Sequence, residues 1–355
     1  MARTLSEFKA KHDPRVIADK LERELEKAQG QLHLQDTIAE ALGTAALKLD
    51  KLRAPAWALS APRDANPGVP TLFLSDIHAG EVVEPRQING VNTYNLHLCD
   101  KRMQHTVATA IYLCSLLDRK MRYPGIVVPL GGDMVSGDIH DELVATNELP
   151  TIPTVLELHG FLVAAIRTLL TKFPAVFLPC VTGNHGRNTR KPWAKNRTGT
   201  SFDWLLYQML ARSFAADKRV TFYIPDGPDA LYRIHHTRYL LTHGDQFRGG
   251  DSIIGPIGPV FRGTQKKLAR NQAVAQDFDV AIMGHWHNYI HTERIIVNGS
   301  MKGYDEYAAA NNFGFEPPRQ ALWVTHPRYG INWRMPVLCE QPKAIRAVEW
   351  VSIAK

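Results

Sequence analysis

Cysteine is scarce. Cys99, Cys114, Cys180 and Cys339 are spread along 355 residues, and no two of them form a Cys-x-x-Cys pair. That spacing excludes a disulfide framework and a thiolate metal site, and it predicts four reduced, buried thiols in a reducing compartment. Met1 to Asp13 contains no apolar stretch of the kind a secretory leader needs. No apolar run is read as approaching the roughly 18 residues of a membrane span. The expectation is a cytoplasmic protein without a membrane partner. Internal repeats and low-complexity tracts are absent as well. A 45% hydrophobic and 22% charged composition is ordinary for globular chains, which excludes a disordered chain, a collagen and a coiled-coil rod. At ~150 residues per domain the length corresponds to roughly two domains. The formal net charge of +7 is compatible with a polyanionic partner.

Residues 1–53 read as an N-terminal helical arm. Leu21, Leu25, Ala28 and Leu32 recur at helical steps, and Ile38, Ala41, Leu42, Ala45 and Leu49 continue the stripe after Asp36, an expected N-cap. Such helices pack on the main domain, form a homodimer or dock a partner protein. Pro55, Pro62, Pro67, Gly68 and Pro70 mark 54–70 as a linker. The main domain is expected over 71–355, with site motifs in 71–300 and a strand-rich C-terminal extension in 301–355. Short apolar runs at Thr71–Ser75, Ile126–Leu130, Ala175–Val181, Tyr239–Leu241 and Val280–Met283 read as buried strands. Leu96–Met121, Val155–Lys172 and Phe202–Phe214 read as helices. Strands alternating with helices indicate an α/β domain, and Arg294–Val297, Ala321–Thr325 and Gly330–Leu338 add further strands.

Each central strand stops at a polar cluster. The clusters are Asp76-Ile77-His78, Gly132-Asp133, Gly183-Asn184-His185, His243-Gly244-Asp245 and Gly284-His285-Trp286-His287. Ligands of α/β sheets bind outside the carboxyl ends of the strands, so the five loops are expected to converge on one crevice. Any one of these clusters alone is unremarkable, since a lone histidine is more often structural than a ligand. Together, Asp76, Asp133 and Asn184 with His78, His243, His285 and His287 offer more ligands than one ion takes. They suit two adjacent divalent ions bridged by a carboxylate. Asp133 is the natural bridge, because its two oxygens can be shared.

In this order, these motifs resemble the calcineurin-like metallophosphoesterases over roughly Thr71 to Ser300. Asn298-Gly299-Ser300 is similar to a turn that follows the last metal motif in some members. The resemblance implies a four-layer α/β/β/α sandwich. It also implies one ion on Asp76, His78, Asp133 and His287, and a second on Asp133, Asn184, His243 and His285. His185 would be the histidine that stays off the metals and supports the transition state and leaving group. The implied reaction is in-line attack on phosphorus by a hydroxide shared between the ions. The mixed nitrogen and oxygen ligands fit Mn²⁺, Fe²⁺, Zn²⁺ or Co²⁺, and the family points to Mn²⁺. One departure stands out. Many phosphodiesterases of the family carry an acid after the Asn-His pair, where this chain has Gly186. Asp138 or Asp245 would have to partner His185 instead. His140 and Glu142 read as a solvated loop beside the site.

Two basic stretches adjoin the metal loops. Arg187, Arg190, Lys191, Lys195 and Arg197 follow Asn184-His185, with Trp193 among them. Arg248 and then Arg262, Lys266, Lys267 and Arg270 follow His243, with Phe261 leading the second group. A rim of this kind would hold a nucleic-acid strand, with Trp193 and Phe261 stacking on bases. Arg187, Arg190, Lys191, Trp193 and Arg248 are therefore the expected substrate contacts. The reading is a nuclease or phosphodiesterase, similar to the DNA-repair exonuclease branch of the family (SbcD-like). A phosphomonoesterase would use the same arginines to clamp phosphate. A non-catalytic interaction module on the same scaffold is opposed by the complete ligand set.

Overall fold

The computed structural model describes residues 54–59, 68–249 and 255–341. The expected helical arm over 1–53 lies outside the described residues, as do 60–67 of the expected linker and 342–355 of the expected extension. By its internal contacts the chain divides into Met1–Leu52 and Arg53–Lys355, and only the second unit is described below.

A short helix α1 (Ala56–Leu59) precedes β1 (Val69–Phe73), α2 (Leu96–Leu117), β2 (Ile126–Val127), α3 (Asp141–Thr146), α4 (Thr151–Leu170) and β3 (Val176–Pro179). Next come α5 (Phe202–Ser213), β4 (Val220–Tyr223), β5 (Asp229–Ile234), β6 (Thr237–Thr242), α6 (Ile257–Gln272) and β7 (Val280–Met283). The last elements are β8 (Ile290–His291), β9 (Ile295–Val297), α7 (Glu306–Ala310), β10 (Arg319–His326) and β11 (Gly330–Leu338). One sheet has the order β11-β10-β1-β2-β3-β4 and the other β5-β6-β7-β9-β8. β1 to β4 run parallel to one another, as do β6, β7 and β9. Strands β10 and β11 pair antiparallel beside β1.

The alternation of side chains along a strand builds the layers. Leu72 of β1 faces a core shared with Met103 and Val107 of α2, Leu158 and Leu162 of α4, and Leu206 and Leu210 of α5. Its neighbour Phe73 points the other way, into a core with Tyr232, Tyr239 and Ile282 of the second sheet. In β7 the same alternation places Val280 and Ile282 between the sheets. Ala281 and Met283 pack outward with Val260 of α6. The order is helices, sheet, sheet, helix. Among the described residues the α/β sandwich is thus a product of strand periodicity.

Several boundaries differ from the sequence reading. Val69 and Pro70 already belong to β1, and Ala58 of the expected linker is fully buried. Helix α4 is long and apolar enough to cross a membrane by length and composition, which the sequence reading overlooked. Its Val155, Leu158, Leu162 and Ile166 are nevertheless buried in the core under the first sheet. The basic stretch 261–272, expected as part of a nucleic-acid rim, lies in helix α6. There Lys267 is buried against Asp229, and Arg270 holds the same carboxylate. Both cations are therefore committed within the fold. All four cysteines are free and buried.

Candidate dinuclear metal centre

Parallel strands send their carboxyl ends the same way, so the loops after β1, β2, β3, β6 and β7 meet at one edge of the two sheets. Backbone bonds lock the first two loops together. The Asp76 N–H donates to the Gly132 carbonyl at 3.1 Å, and the His78 N–H to the Asp133 carbonyl at 3.0 Å. Five of the seven expected ligands, Asp76, His78, Asp133, His285 and His287, have positive φ between 49° and 69°. Such backbone is uncommon outside glycine and is held only where surrounding structure imposes it, typically at functional sites.

The glycines of the motifs exist for close approach. A Cβ on Gly284 would lie 2.2 Å from Asp76 Oδ2, and one on Gly183 would lie 2.1 Å from Asp133 Oδ1. Gly186 explains the missing acid: any side chain there would meet the Asp203 carboxylate at 2.8 Å.

All seven expected ligands come together. Asp76, His78 and His287 form one group, and Asp133, His243 and His285 another, with ligand atoms in each group mutually within 4.8 Å. His78 Nε2 and His287 Nε2 are 3.0 Å apart, and His287 Nε2 is 3.4 Å from Asp76 Oδ1. On the other side, His243 Nε2 lies 3.0 Å from Asp133 Oδ2 and 3.1 Å from Asn184 Oδ1. The Gly131 carbonyl sits 2.8 Å from His243 Nδ1. A carbonyl only accepts, so Nδ1 carries a proton and Nε2 is the nitrogen left for a metal. The facing ring nitrogens of His78 and His287 beside the Asp76 carboxylate have the chemistry of a cation site, and the mixed nitrogen and oxygen donor set as a whole fits divalent ions.

Electrostatics agree. Burial pushes His78 well below its ordinary range, with Lys302, His185 and His287 adding to the effect. His285 falls to about 4 through burial and the nearby charge of His243. Burial opposes a charge on His243 too, but Asp133, with Asp76 and Asp245 beyond, outweighs it and raises His243 to about 10. Asp133 is held well below the usual carboxylate range: burial opposes its charge, but His243 and His185 outweigh it. His243 and Asp133 thus form a charged pair within the second group.

His185 is not in the Asp133–His243–His285 group. Its N–H donates to Asp133 Oδ1 at 2.7 Å. Its Nδ1 faces the Ser136 carbonyl at 2.9 Å, which fixes a proton on Nδ1 and turns Nε2 toward the crevice. The edge-on contact with His78, 4.6 Å between ring centres, keeps it beside the first group, and the group His78, Asp133 and His185 satisfies the same spacing. The expected carboxylate partners of His185 are engaged elsewhere, which corrects the sequence reading. Asp138 accepts from the Thr151 hydroxyl, and Asp245 makes a two-pronged pair with Arg197 at 2.8 and 2.9 Å. His140 is exposed, 6.0 Å from the His185 ring.

Of the expected substrate contacts, Arg187 is half-buried and donates through Nη1 to the Asn184 carbonyl at 2.7 Å. With Trp193 it lines a shallow recess that includes Asn184, Pro192 and Asp245. Trp193 is 55% exposed, and Arg190, Lys191 and Arg248 are exposed. A larger recess, lined by Arg167, Ser213, Asp217 and Arg219, lies at the ends of α4 and α5 and holds none of the predicted residues. There Arg219 is already paired with Asp217.

Sequence reasoning missed Asp203. It is fully buried in the first turn of α5, where an acid reads as an ordinary helix-dipole partner. Its carboxylate accepts from the N–H groups of Asp133 at 3.1 Å, Gly183 at 2.9 Å and Met134 at 3.2 Å. Burial and the nearby Asp133 raise it to about 6. Asn298, read as part of a turn, is also a tie: its amide donates to the Phe73 carbonyl and the Ser75 hydroxyl. Ser300 donates to the Asp76 carbonyl at 2.9 Å.

No family model matches the chain, and no curated protein matches it. Solved structures do. A Vps29 single mutant from Entamoeba histolytica is 12% identical over 76% of this chain and 99% of its own, with a TM-score of 0.29. A predicted phosphoesterase from Streptococcus pneumoniae is 10% identical over 77% of this chain and 98% of its own, with a TM-score of 0.28. A putative 5'-nucleotidase from Staphylococcus aureus is 14% identical over 79% of this chain and 56% of its own, with a TM-score of 0.35. Likenesses this distant leave the functional reading to the site itself.

Proposed function

We propose that this chain is a calcineurin-like metallophosphoesterase that hydrolyses phosphodiester bonds, with nucleic acid as the substrate class. The observation that carries the reading is the convergence of five strand-end loops on two neighbouring ligand groups, Asp76–His78–His287 and Asp133–His243–His285. Asp76, His78, Asp133 and His287 would hold one divalent ion, and Asp133, Asn184, His243 and His285 the other. Mn²⁺ suits this nitrogen and oxygen set. Ions held there would supply a water of lowered pKa and charge to neutralise phosphate oxygens.

The chain's own residues do the rest. Ser136 holds the His185 ring so that Nε2 faces the crevice. Burial keeps His185 below its ordinary range, and an anionic phosphate ester beside it pulls the value back up. His185 therefore takes up its proton as substrate arrives and donates it from Nε2 to the leaving oxygen. Arg187 fixes the Asn184 loop. Exposed Arg190, Lys191 and Lys195, with Trp193, supply charge and a stacking face for a strand, a combination that suits a single strand without sequence preference.

The test is Mn²⁺-dependent cleavage of end-labelled single- and double-stranded DNA, with a p-nitrophenyl monoester assayed in parallel. DNA cleavage that falls about 10²–10⁴-fold in His185→Ala, with metal retained, supports the proposal. Turnover of the monoester alone would move the assignment to a phosphomonoesterase. Failure on both substrates with metal bound would overturn it.

A further inference from the structure

Next to the first ligand group lies a buried charge cluster that the proposed chemistry does not use. Lys302 is 4% exposed. Its Nζ sits 2.7 Å from Glu81 Oε1 and also pairs with Asp305. Its position is set from the backbone: Arg102 of α2, itself buried, donates to the Met301 and Lys302 carbonyls at 3.0 and 2.6 Å. The Met301 N–H in turn donates to the Asp76 carbonyl at 3.1 Å. The second oxygen of Glu81 faces His78 Nδ1 at 3.7 Å and the Ser136 hydroxyl at 3.4 Å. His78 Nδ1 is buried and makes no hydrogen bond; the Glu81 carboxylate faces it just beyond hydrogen-bond distance.

A buried imidazole must place its single proton on one nitrogen. The other ring nitrogen, Nε2, points at His287 Nε2 3.0 Å away, into the ligand group. A ligating histidine commonly directs its second nitrogen at a carboxylate, which fixes the tautomer and the ring plane. A free carboxylate could swing away or rotate. Lys302 removes that freedom by holding Oε1 and leaving Oε2 for the imidazole.

We infer that Glu81, clamped by Lys302, is a positioning residue that holds the His78 proton on Nδ1 and so keeps Nε2 available for the metal. The inference rests on the dinuclear reading above for its purpose, though not for its geometry. It makes a sharp statement about the isosteric variant Glu81→Gln. Lys302 is a donor and claims the amide oxygen, so the amide NH₂ faces His78 Nδ1. An NH₂ cannot accept a proton, so the His78 proton moves to Nε2 and blocks ligation. In Glu81→Gln/Lys302→Met the amide is free to turn its oxygen to Nδ1, and the original tautomer returns.

The experiment uses the full chain. Long-range ¹H–¹⁵N spectra of the EDTA-treated protein read the His78 tautomer, and calorimetric Mn²⁺ titration reads affinity. The expected result is Nδ1 protonation in the wild type and Nε2 protonation in Glu81→Gln. One Mn²⁺ site should weaken about 10–100-fold in that variant, with recovery in the double variant. A wild-type His78 protonated at Nε2 would overturn the inference, as would a Glu81→Gln chain with unchanged tautomer and affinity. A double variant that folds without recovery would overturn the clamping role of Lys302. A wild-type chain with the Nδ1 tautomer and no Mn²⁺ binding supports the tautomer control and removes the dinuclear reading instead.

Discussion

Asp133 uses both carboxylate oxygens: Oδ1 accepts the His185 N–H at 2.7 Å, and Oδ2 faces His243 at 3.0 Å. Around it the packing leaves no slack, and that makes the glycines as telling as the ligands. Gly284→Ala would place a Cβ 2.2 Å from Asp76 Oδ2. The carboxylate must move, so Mn²⁺ affinity should fall by at least about tenfold, the scale on which ligand misplacement is felt, while far-ultraviolet circular dichroism stays unchanged. Calorimetric titration checks this. The candidate ligands are legible in the sequence because Asp, Asn and His at strand ends have few structural reasons to recur five times. Glu81, Lys302 and Asp203 were not legible. They are common residue types in ordinary local settings, and only the tertiary fold brings Glu81 and Lys302, 221 positions apart, into an ion pair.

At the scale of elements, the short apolar runs located the central strands, since a strand buried on both faces is apolar throughout. β7 and β11 fall at the expected positions. β4 and β5 escaped notice because β4 buries only Phe222 and β5 alternates buried with more exposed side chains, with polar residues interspersed. Helix α6 was hidden by its charge: its basic residues read as part of a nucleic-acid rim, although Val260, Gly263 and Thr264 form a buried face. Helix α5 contributes to the centre through Asp203. Asp203→Ala leaves three buried N–H groups of the metal loops without their acceptor. An unsatisfied buried donor costs about 1–3 kcal/mol, so a loss of about 3 kcal/mol or more is expected by urea denaturation. A loss under about 1 kcal/mol would show that the loops hold themselves.

At the scale of the whole molecule, two sheets pack face to face, and the candidate centre lies where the parallel strands of both sheets end. Three of its loops come from the first sheet and two from the second. Metal removal should therefore be felt globally and with a defined pH dependence. His243 is raised to about 10 in the metal-free chain by Asp133, above its unfolded value of about 6.5. The stability from this pair is fully present below about pH 6.5 and is lost as pH rises through about 10. The melting temperature of the EDTA-treated protein should fall across that upper range, and His243→Gln should flatten the fall. An identical slope in the variant would contradict the coupling.

The most direct test of the dinuclear centre is the Mn²⁺ stoichiometry of the purified chain by equilibrium dialysis, with Asp133→Asn alongside. Two ions per wild-type chain, with both sites crippled in the variant, is the predicted result if Asp133 serves both ions as proposed. One ion in the wild type, or two retained in Asp133→Asn, would contradict a shared aspartate and with it the proposed chemistry.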